Sequence, residues 1–403
     1  MTLPNARSRG VRLTLLAAVF LPSLVMMVTR GSSMASGLLL SVGPALLSGI
    51  LLVLLRSSSQ RVPVAALIGA VLISNLLLVH YLAAGLVLEL PQDGKRFGSS
   101  LVALLALCGA AYVVALSLRR LSDAALKKTV SVIMFIFLLN GALALSGADF
   151  FGGATSKPTF LFSEPSHLAL ACAPFLIFHV RARLTGWLGY LLFFFLWALY
   201  IENATMLAVL AATIVVGFRV KAMFLLLPVC IGLFAAFGDV DYFASRLVLS
   251  VDEANLSGLV LMQGWQNAFL TLIETKGLGA GFQQFGIASA TGDITARVNE
   301  LFGADLNLFD GGTTASKLVG EFGIFGIDLV LLLMARAVLA LKAIKRTSAQ
   351  PDSALQLLAH CTSVGFMVEL LLRGVGYFSP GVFIYLTMFF YTLSRRRGSN
   401  QHA

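Results

Sequence analysis

Apolar residues fill this chain in long runs separated by short polar stretches. Twelve runs stand out: Leu13–Thr29, Gly37–Leu55, Val62–Leu88, Ser99–Leu118, Thr129–Leu145, Pro165–Val180, Trp187–Tyr200, Ala204–Phe218, Ala222–Phe237, Phe322–Leu341, Leu355–Leu372 and Pro380–Leu393. A bilayer core takes roughly 20 apolar residues per helix, so the pattern predicts an all-α polytopic membrane protein with about twelve transmembrane helices. The stretch Trp187–Phe218 is short for two spans and a turn. It predicts two short helices meeting at Glu202 and Asn203, below the outer surface, where polar groups are tolerated only in a wet cavity or against protein. An outward-facing depression is expected there.

Charge sets the orientation. With a cytoplasmic N-terminus and alternating runs, Arg56/Arg61, Arg119/Arg120/Lys127/Lys128, Arg181/Arg183, Arg219/Lys221, Lys342/Lys345/Arg346 and Arg395–Arg397 all fall inside, in agreement with the positive-inside rule. A single crossing between Trp187 and Phe218 would move every later cluster outside. Composition agrees: the 403 residues are 58% hydrophobic and 12% charged, too apolar for a water-soluble core and surface. The 29 Lys and Arg against 19 Asp and Glu come in short clusters between runs, which serves topology and implies no nucleic-acid partner. Cys108, Cys172, Cys230 and Cys361 lie in apolar runs without CxxC spacing, so neither disulfide nor metal site is indicated. Basic Arg7, Arg9 and Arg12 before an apolar run, then Ser33–Ala35, mimic a signal peptide. Arg30 interrupts the cleavage region and favours an uncleaved anchor.

One connection is long and mostly polar. It divides the chain into helices 1–9 over residues 1–237, a large outer loop over 238–321, and helices 10–12 with a basic cytoplasmic tail over 322–403, within a single integral membrane domain. A loop of that length in a compact protein is usually functional or disordered. Its patches Leu256–Met262 and Trp265–Ile273 predict amphipathic helices lying against the membrane face. No internal repeat stands out, which weakens a transporter built from inverted repeats.

Few residues offer chemistry. Pro165 fits the first turn of a helix, where its missing N–H costs nothing, which puts Glu164 at the cap and His167 about one turn on, both at the outer interface. Two readings stay open: a functional pair, or a carboxylate offsetting the helix dipole beside a histidine bonded to a neighbouring helix. Arg373 follows Glu369 by four residues, as an i to i+4 ion pair would require. Ionisable residues within spans are also functional candidates, and Gly374, Gly376 and Pro380 imply irregular backbone beside it. Arg246, just outside the ninth run, suits an anion or lipid head groups. His80, Asn75 and Asn140 suit interhelical hydrogen bonds, and His179 and His360 structural roles. "DLNLFDGG" (305–312) departs from calcium-loop spacing, and "GLGAGFQQFG" (277–286) lacks the preceding strand of a dinucleotide site.

In order, "FLFSEPSHLAL", "NLSGLVLMQGWQNAF", "GLGAGFQQFG", "GEFGIFG" and "LLRGVGYFSP" resemble the Wzy-type O-antigen and capsule polymerases of bacterial inner membranes, over about Phe160 to Pro380. The resemblance implies a type-C glycosyltransferase-like helical fold and transfer of a growing glycan from undecaprenyl diphosphate to the non-reducing end of another lipid-linked unit. It implies the periplasmic face as the place of reaction and a multi-pass protein with both termini cytoplasmic. Its partners would be undecaprenyl-diphosphate-linked oligosaccharides, the lipid bilayer and a chain-length regulator, with no cofactor. By motif, Glu164 and His167 become the catalytic candidates. Arg246 and Arg373 become diphosphate-binding candidates, joined by Lys157, Asn255 and Tyr377. The related O-antigen ligases carry a His-Asn pair upstream of a "GEFGIFG"-like turn, where Gly312 stands here.

The residue chemistry is compatible with this. Breaking a sugar–diphosphate bond develops negative charge, for which Arg offers a bidentate fork. The attacking hydroxyl needs a base, with Glu164 the first candidate and His167 as base, orienter or acceptor-binding group. A base on one face and diphosphate clamps on the other favour inversion. The competing readings are a ligase passing glycan to another acceptor, and a transporter or flippase of lipid-linked sugars.

Overall fold

A computed structural model describes residues 4–29, 33–55, 64–147, 159–245, 255–303, 306–346 and 353–399. In chain order the helices are α1 (Pro4–Thr29), α2 (Met34–Leu55), α3 (Val64–Leu86), α4 (Gly94–Leu118), α5 (Asp123–Leu145), α6 (Pro165–Arg181), α7 (Trp187–Tyr200), α8 (Ala204–Gly217), α9 (Val220–Phe237), α10 (Val240–Ser245), α11 (Leu256–Glu274), α12 (Asp293–Phe302), α13 (Thr314–Phe322), α14 (Ile324–Arg346), α15 (Ala354–Leu371) and α16 (Pro380–Ser399). Among the described residues the only pairing of extended backbone is an isolated bridge between Thr159 and Phe162.

Each of the twelve apolar runs falls, to within a few residues, in one helix. Seven helices among the described residues are long and apolar enough to cross a membrane, in α1, α3, α4, α5, α9, α14 and α15. Five of the twelve helices that hold the apolar runs fall outside this set, among them the two short ones expected between Trp187 and Phe218. The helices α7 and α8 have 14 residues each, about 21 Å at the helical rise, and are shorter than a hydrocarbon core.

The centre of the bundle is α6 and α15. Every α6 residue from Leu168 to Val180 is buried, as is most of α15, because both are apolar on all sides and need protein all round. α6 lies against α8 and α15, with α5 and α7 beside it. The outer helices are the reverse. Leu72 and Leu76 of α3, Phe224, Leu225 and Ile231 of α9, and Leu331 and Leu332 of α14 are exposed, and contiguous apolar exposure of this extent marks a surface for lipid. The protein is membrane-embedded.

At one end of α6, Arg181 donates to the Ile344 carbonyl at 3.1 Å, Arg183 to the Gly217 carbonyl at 3.3 Å and Lys345 to the Phe218 carbonyl. These cations satisfy terminal carbonyls that a helix leaves unpaired. The opposite end of α6 begins at Pro165, about 25 Å away for 17 residues.

The described residues of the 238–321 segment hold α10 to α13. The two patches expected as separate surface helices are one continuous helix, α11, whose face from Gly258 to Thr271 is buried against α12 and α13. Gly264 lets it approach closely: a Cβ there would lie 1.7 Å from the Gly311 carbonyl oxygen. The 277–286 loop ties this layer to the bundle. Ala280 and Gly281 donate to Gly320 and Glu321 at 2.9 Å each, Gln284 bonds both backbone groups of Asp93, and His80 Nε2 meets the Leu278 carbonyl at 2.8 Å.

Candidate functional site

Three connections distant in sequence meet at the Pro165 end of α6. The first is the approach to α6. The Leu161 N–H donates to Asn140 Oδ1 of α5 at 2.6 Å, and Phe162 is buried against Phe137 and Phe20, so this segment is fixed before the helix begins. Pro165 occupies the first turn and Glu164 the N-cap, as the sequence predicted, yet Glu164 makes no capping hydrogen bond. Its carboxylate instead accepts from Arg373 Nη2 at 3.0 Å and from Ser166 Oγ at 2.9 Å. The Arg373 partner is 209 residues away in sequence.

Burial opposes ionisation of Glu164, but the adjoining His167 imidazole and Arg373 guanidinium, with the hydrogen bonds from Ser166 and Arg373, outweigh it and hold the carboxyl below its ordinary range. His167, one turn on, has Nδ1 at 2.8 Å from Ser163 Oγ, which leaves Nε2 for another ligand.

The second connection is the turn from α15 to α16. Arg373 was expected either as an ion pair of Glu369 or as a functional cation. Glu369 is taken by Ser379 Oγ, so the i to i+4 pairing does not form. Arg373, 19% exposed in its side chain, gives one hydrogen bond to Glu164 and retains guanidinium donors for an anion. The next residue, Gly374, donates to the Gly312 carbonyl at 2.9 Å, which docks the turn on the third connection.

That third connection is the 306–321 segment. Asp310 projects at its tip, and Lys317 lies behind it. The Lys317 ammonium donates to the Phe309 carbonyl at 2.6 Å and stands 3.5 Å from Asp310 Oδ1 and 3.8 Å from Glu321 Oε1. Tyr377 completes this layer, its ring stacked on Phe282 and facing Lys317 at 5.3 Å. Burial pushes the Glu321 carboxyl above its ordinary value, and Lys317 offsets this only in part. Burial, with the Glu321 and Asp310 carboxylates, likewise pushes the Tyr377 phenol well up. The Tyr377 hydroxyl and Glu321 face one another, but neither is aligned for a conventional hydrogen bond.

Of the candidate residues, Glu164, His167 and Arg373 come together, and Tyr377 lies behind them. Asn255 caps α11 by accepting from Ser257 and Gly258 at 3.1 Å and donates to Ser245, which is structural work. Lys157 and Arg246 lie outside the described residues. Asn140 reaches beyond its helix as expected, but Asn75 bonds the Val71 carbonyl of its own helix at 2.8 Å. Asn203 caps α8 through the Met206 N–H at 3.1 Å.

No protein-family model matches the chain, and no curated protein matches it.

Asp310, Lys317 and Glu321 escaped the sequence reading. The spacing of "DLNLFDGG" speaks only to calcium binding, which it does not fit. The available signal was Lys317 itself, a cation among Ala315, Leu318 and Val319 on the inward face of a short helix, with Glu321 one turn later. Among the described residues no group of three or more His, Cys, Asp or Glu side chains converges as a metal-ligand set.

Proposed function

We propose that this protein is a glycan polymerase that extends polyprenyl-diphosphate-linked oligosaccharides at the outer face of a bacterial inner membrane. One observation carries the reading: Glu164, at the N-cap of α6, pairs with Arg373 at 3.0 Å, so the two residues that the polymerase-like motifs nominate from opposite ends of the resemblance adjoin one another. The ordered motifs support the same reading. So does the separation of this site from the basic cluster at the far end of α6, since positive ends of spans favour the cytoplasm. Twelve membrane crossings, with the short α7 and α8 as a partly sunken pair, belong to this proposal.

In the proposed reaction Arg373 binds the diphosphate of the donor and stabilises the charge that develops as the sugar–diphosphate bond breaks. Glu164 fixes the plane of the guanidinium; the ion pair and the Ser166 bond lower its basicity, which suits it to positioning more than to proton abstraction. His167 Nε2 binds an acceptor sugar. Attack from the face opposite the diphosphate gives inversion.

The test is purified protein with a synthetic undecaprenyl-diphosphate repeat unit, read by mass spectrometry. Wild type should give a ladder of repeats, and Arg373→Ala none while still accumulating in the membrane. Wild type that makes no ladder from its native unit, or that transfers glycan only to a different acceptor, would overturn the polymerase reading.

A further inference from the structure

Two carboxylates border the site, and their surroundings differ. Glu164 is held by an ion pair at 3.0 Å and a hydroxyl at 2.9 Å, both on Oε2, so its charge is paired at close range by Arg373. Asp310 has only the Lys317 ammonium, at 3.5 Å. That ammonium is itself anchored on the Phe309 carbonyl and shared with Glu321. Its side chain is 1% exposed while that of Asp310 is 45% exposed: a fixed cation from behind, an open face in front.

The α15–α16 turn lies close against Asp310. Gly376 has φ +75°, and a Cβ there would lie 2.9 Å from Asp310 Oδ1. Asp310 is within electrostatic reach of His167, whose Nδ1 is occupied by Ser163 and whose Nε2 is not. A sugar hydroxyl held between His167 and Asp310 would therefore meet an accessible carboxylate.

We infer that Asp310 is the general base for the acceptor hydroxyl and that Lys317 is its positioning residue; this rests on the polymerase reading. In the step, the hydroxyl proton passes to the Asp310 carboxylate and the hydroxyl oxygen bonds to the donor's anomeric carbon. The anomeric C–O bond to the diphosphate breaks, its electron pair leaving on the polyprenyl diphosphate beside Arg373. The proton on Asp310 then leaves to water from its exposed face.

The experiment uses the full chain in lipid nanodiscs, with the synthetic undecaprenyl-diphosphate repeat unit for both donor binding and ladder formation. Asp310→Asn should bind the lipid-linked unit as wild type does and lose extension by about a hundredfold or more, the usual range for a lost general base. Asp310→Ala should behave alike and regain part of its rate with added formate, which supplies a carboxylate in the vacated space. Arg373→Ala, which keeps Asp310, should not respond to formate. Extension by Asp310→Asn within a few-fold of wild type overturns the assignment and leaves the polymerase reading intact. Absence of formate rescue in donor-bound Asp310→Ala overturns it too, as does loss of donor binding in both Asp310 variants, which would make Asp310 structural. No ladder from wild type removes the polymerase reading and this role with it.

Discussion

The Glu164–Arg373 pair can be weighed directly. Its N···O distance is 3.0 Å; charge centres about 4 Å apart attract by about 4 kcal/mol at an effective dielectric near 20. The side chains are 39% and 19% exposed, so solvent removes most of that. Exposed pairs retain roughly 0.2–1 kcal/mol and charge-assisted hydrogen bonds about 1.5–3 kcal/mol, which puts the coupling near about 1 kcal/mol. A double-mutant cycle of Glu164→Gln, Arg373→Gln and both, read by unfolding in mixed detergent–SDS micelles, isolates that term. The double variant should be more stable than the sum of the single losses implies, by about fivefold in the unfolding constant.

The same cycle has a pH signature. Glu164 is held below the ordinary value of 4.5 by His167 and Arg373 against the opposing effect of burial. A depressed carboxylate contributes stability that is complete above its unfolded value and is lost as pH falls through its folded value. The difference between wild type and Glu164→Gln should therefore be flat above pH 4.5 and shrink below it. A coupling of zero at neutral pH with both single variants folded, or a difference that grows on acidification, refutes the pairing as described.

Two further outcomes follow from the layer behind the pair. Gly376→Ala places a side chain at φ +75° and 2.9 Å from Asp310 Oδ1, so it should cost about 1–2 kcal/mol in backbone strain and reduce glycan extension more than protein abundance; wild-type extension would show that the backbone there is not constrained. Lys317→Met removes the ammonium between Asp310 and Glu321 and should cost about 3–5 kcal/mol, whereas Lys317→Met with Glu321→Leu should recover most of it, since an apolar replacement for a whole buried pair is often near neutral. Equal unfolding midpoints for the single and double variants would refute that account.

The helices were legible because hydrophobic length is a local property: the runs at 99–118, 129–145 and 355–372 need no tertiary information to be seen, and α4, α5 and α15 cover them closely. The number of full crossings was less legible. Charge parity required two passes between Trp187 and Phe218, and the two short helices exist, but α7 and α8 at 14 residues fall below the length that marks a span by itself. The helix expected from the patches of the long loop is there as α11, but its polar Gln263, Asn267 and Thr271 look solvent-facing in sequence and are buried. Amphipathicity states which residues share a face, not what covers it.

The site illustrates the same limit more sharply. Glu164 and Asn203 both stand at helix N-caps, and both cap positions were readable from the residues around them. The Asn203 side chain accepts from the Met206 N–H, whereas the Glu164 side chain accepts from no backbone N–H of its own helix. Arg373 brings a full charge to the Glu164 carboxylate, and the charge-assisted bond is the stronger kind. Nothing within the window around Glu164 contains that information, since it arrives from 209 residues away. Asp310 and Lys317 follow the same logic: a loop acid and a helix cation become a positioned base and its anchor only once Gly374 and Gly376 let the α15–α16 turn lie on them. Sequence locates the groups able to do chemistry; the contacts between distant connections decide how closely each charge is paired, at 3.0 Å for Glu164 with Arg373 and 3.5 Å for Asp310 with Lys317.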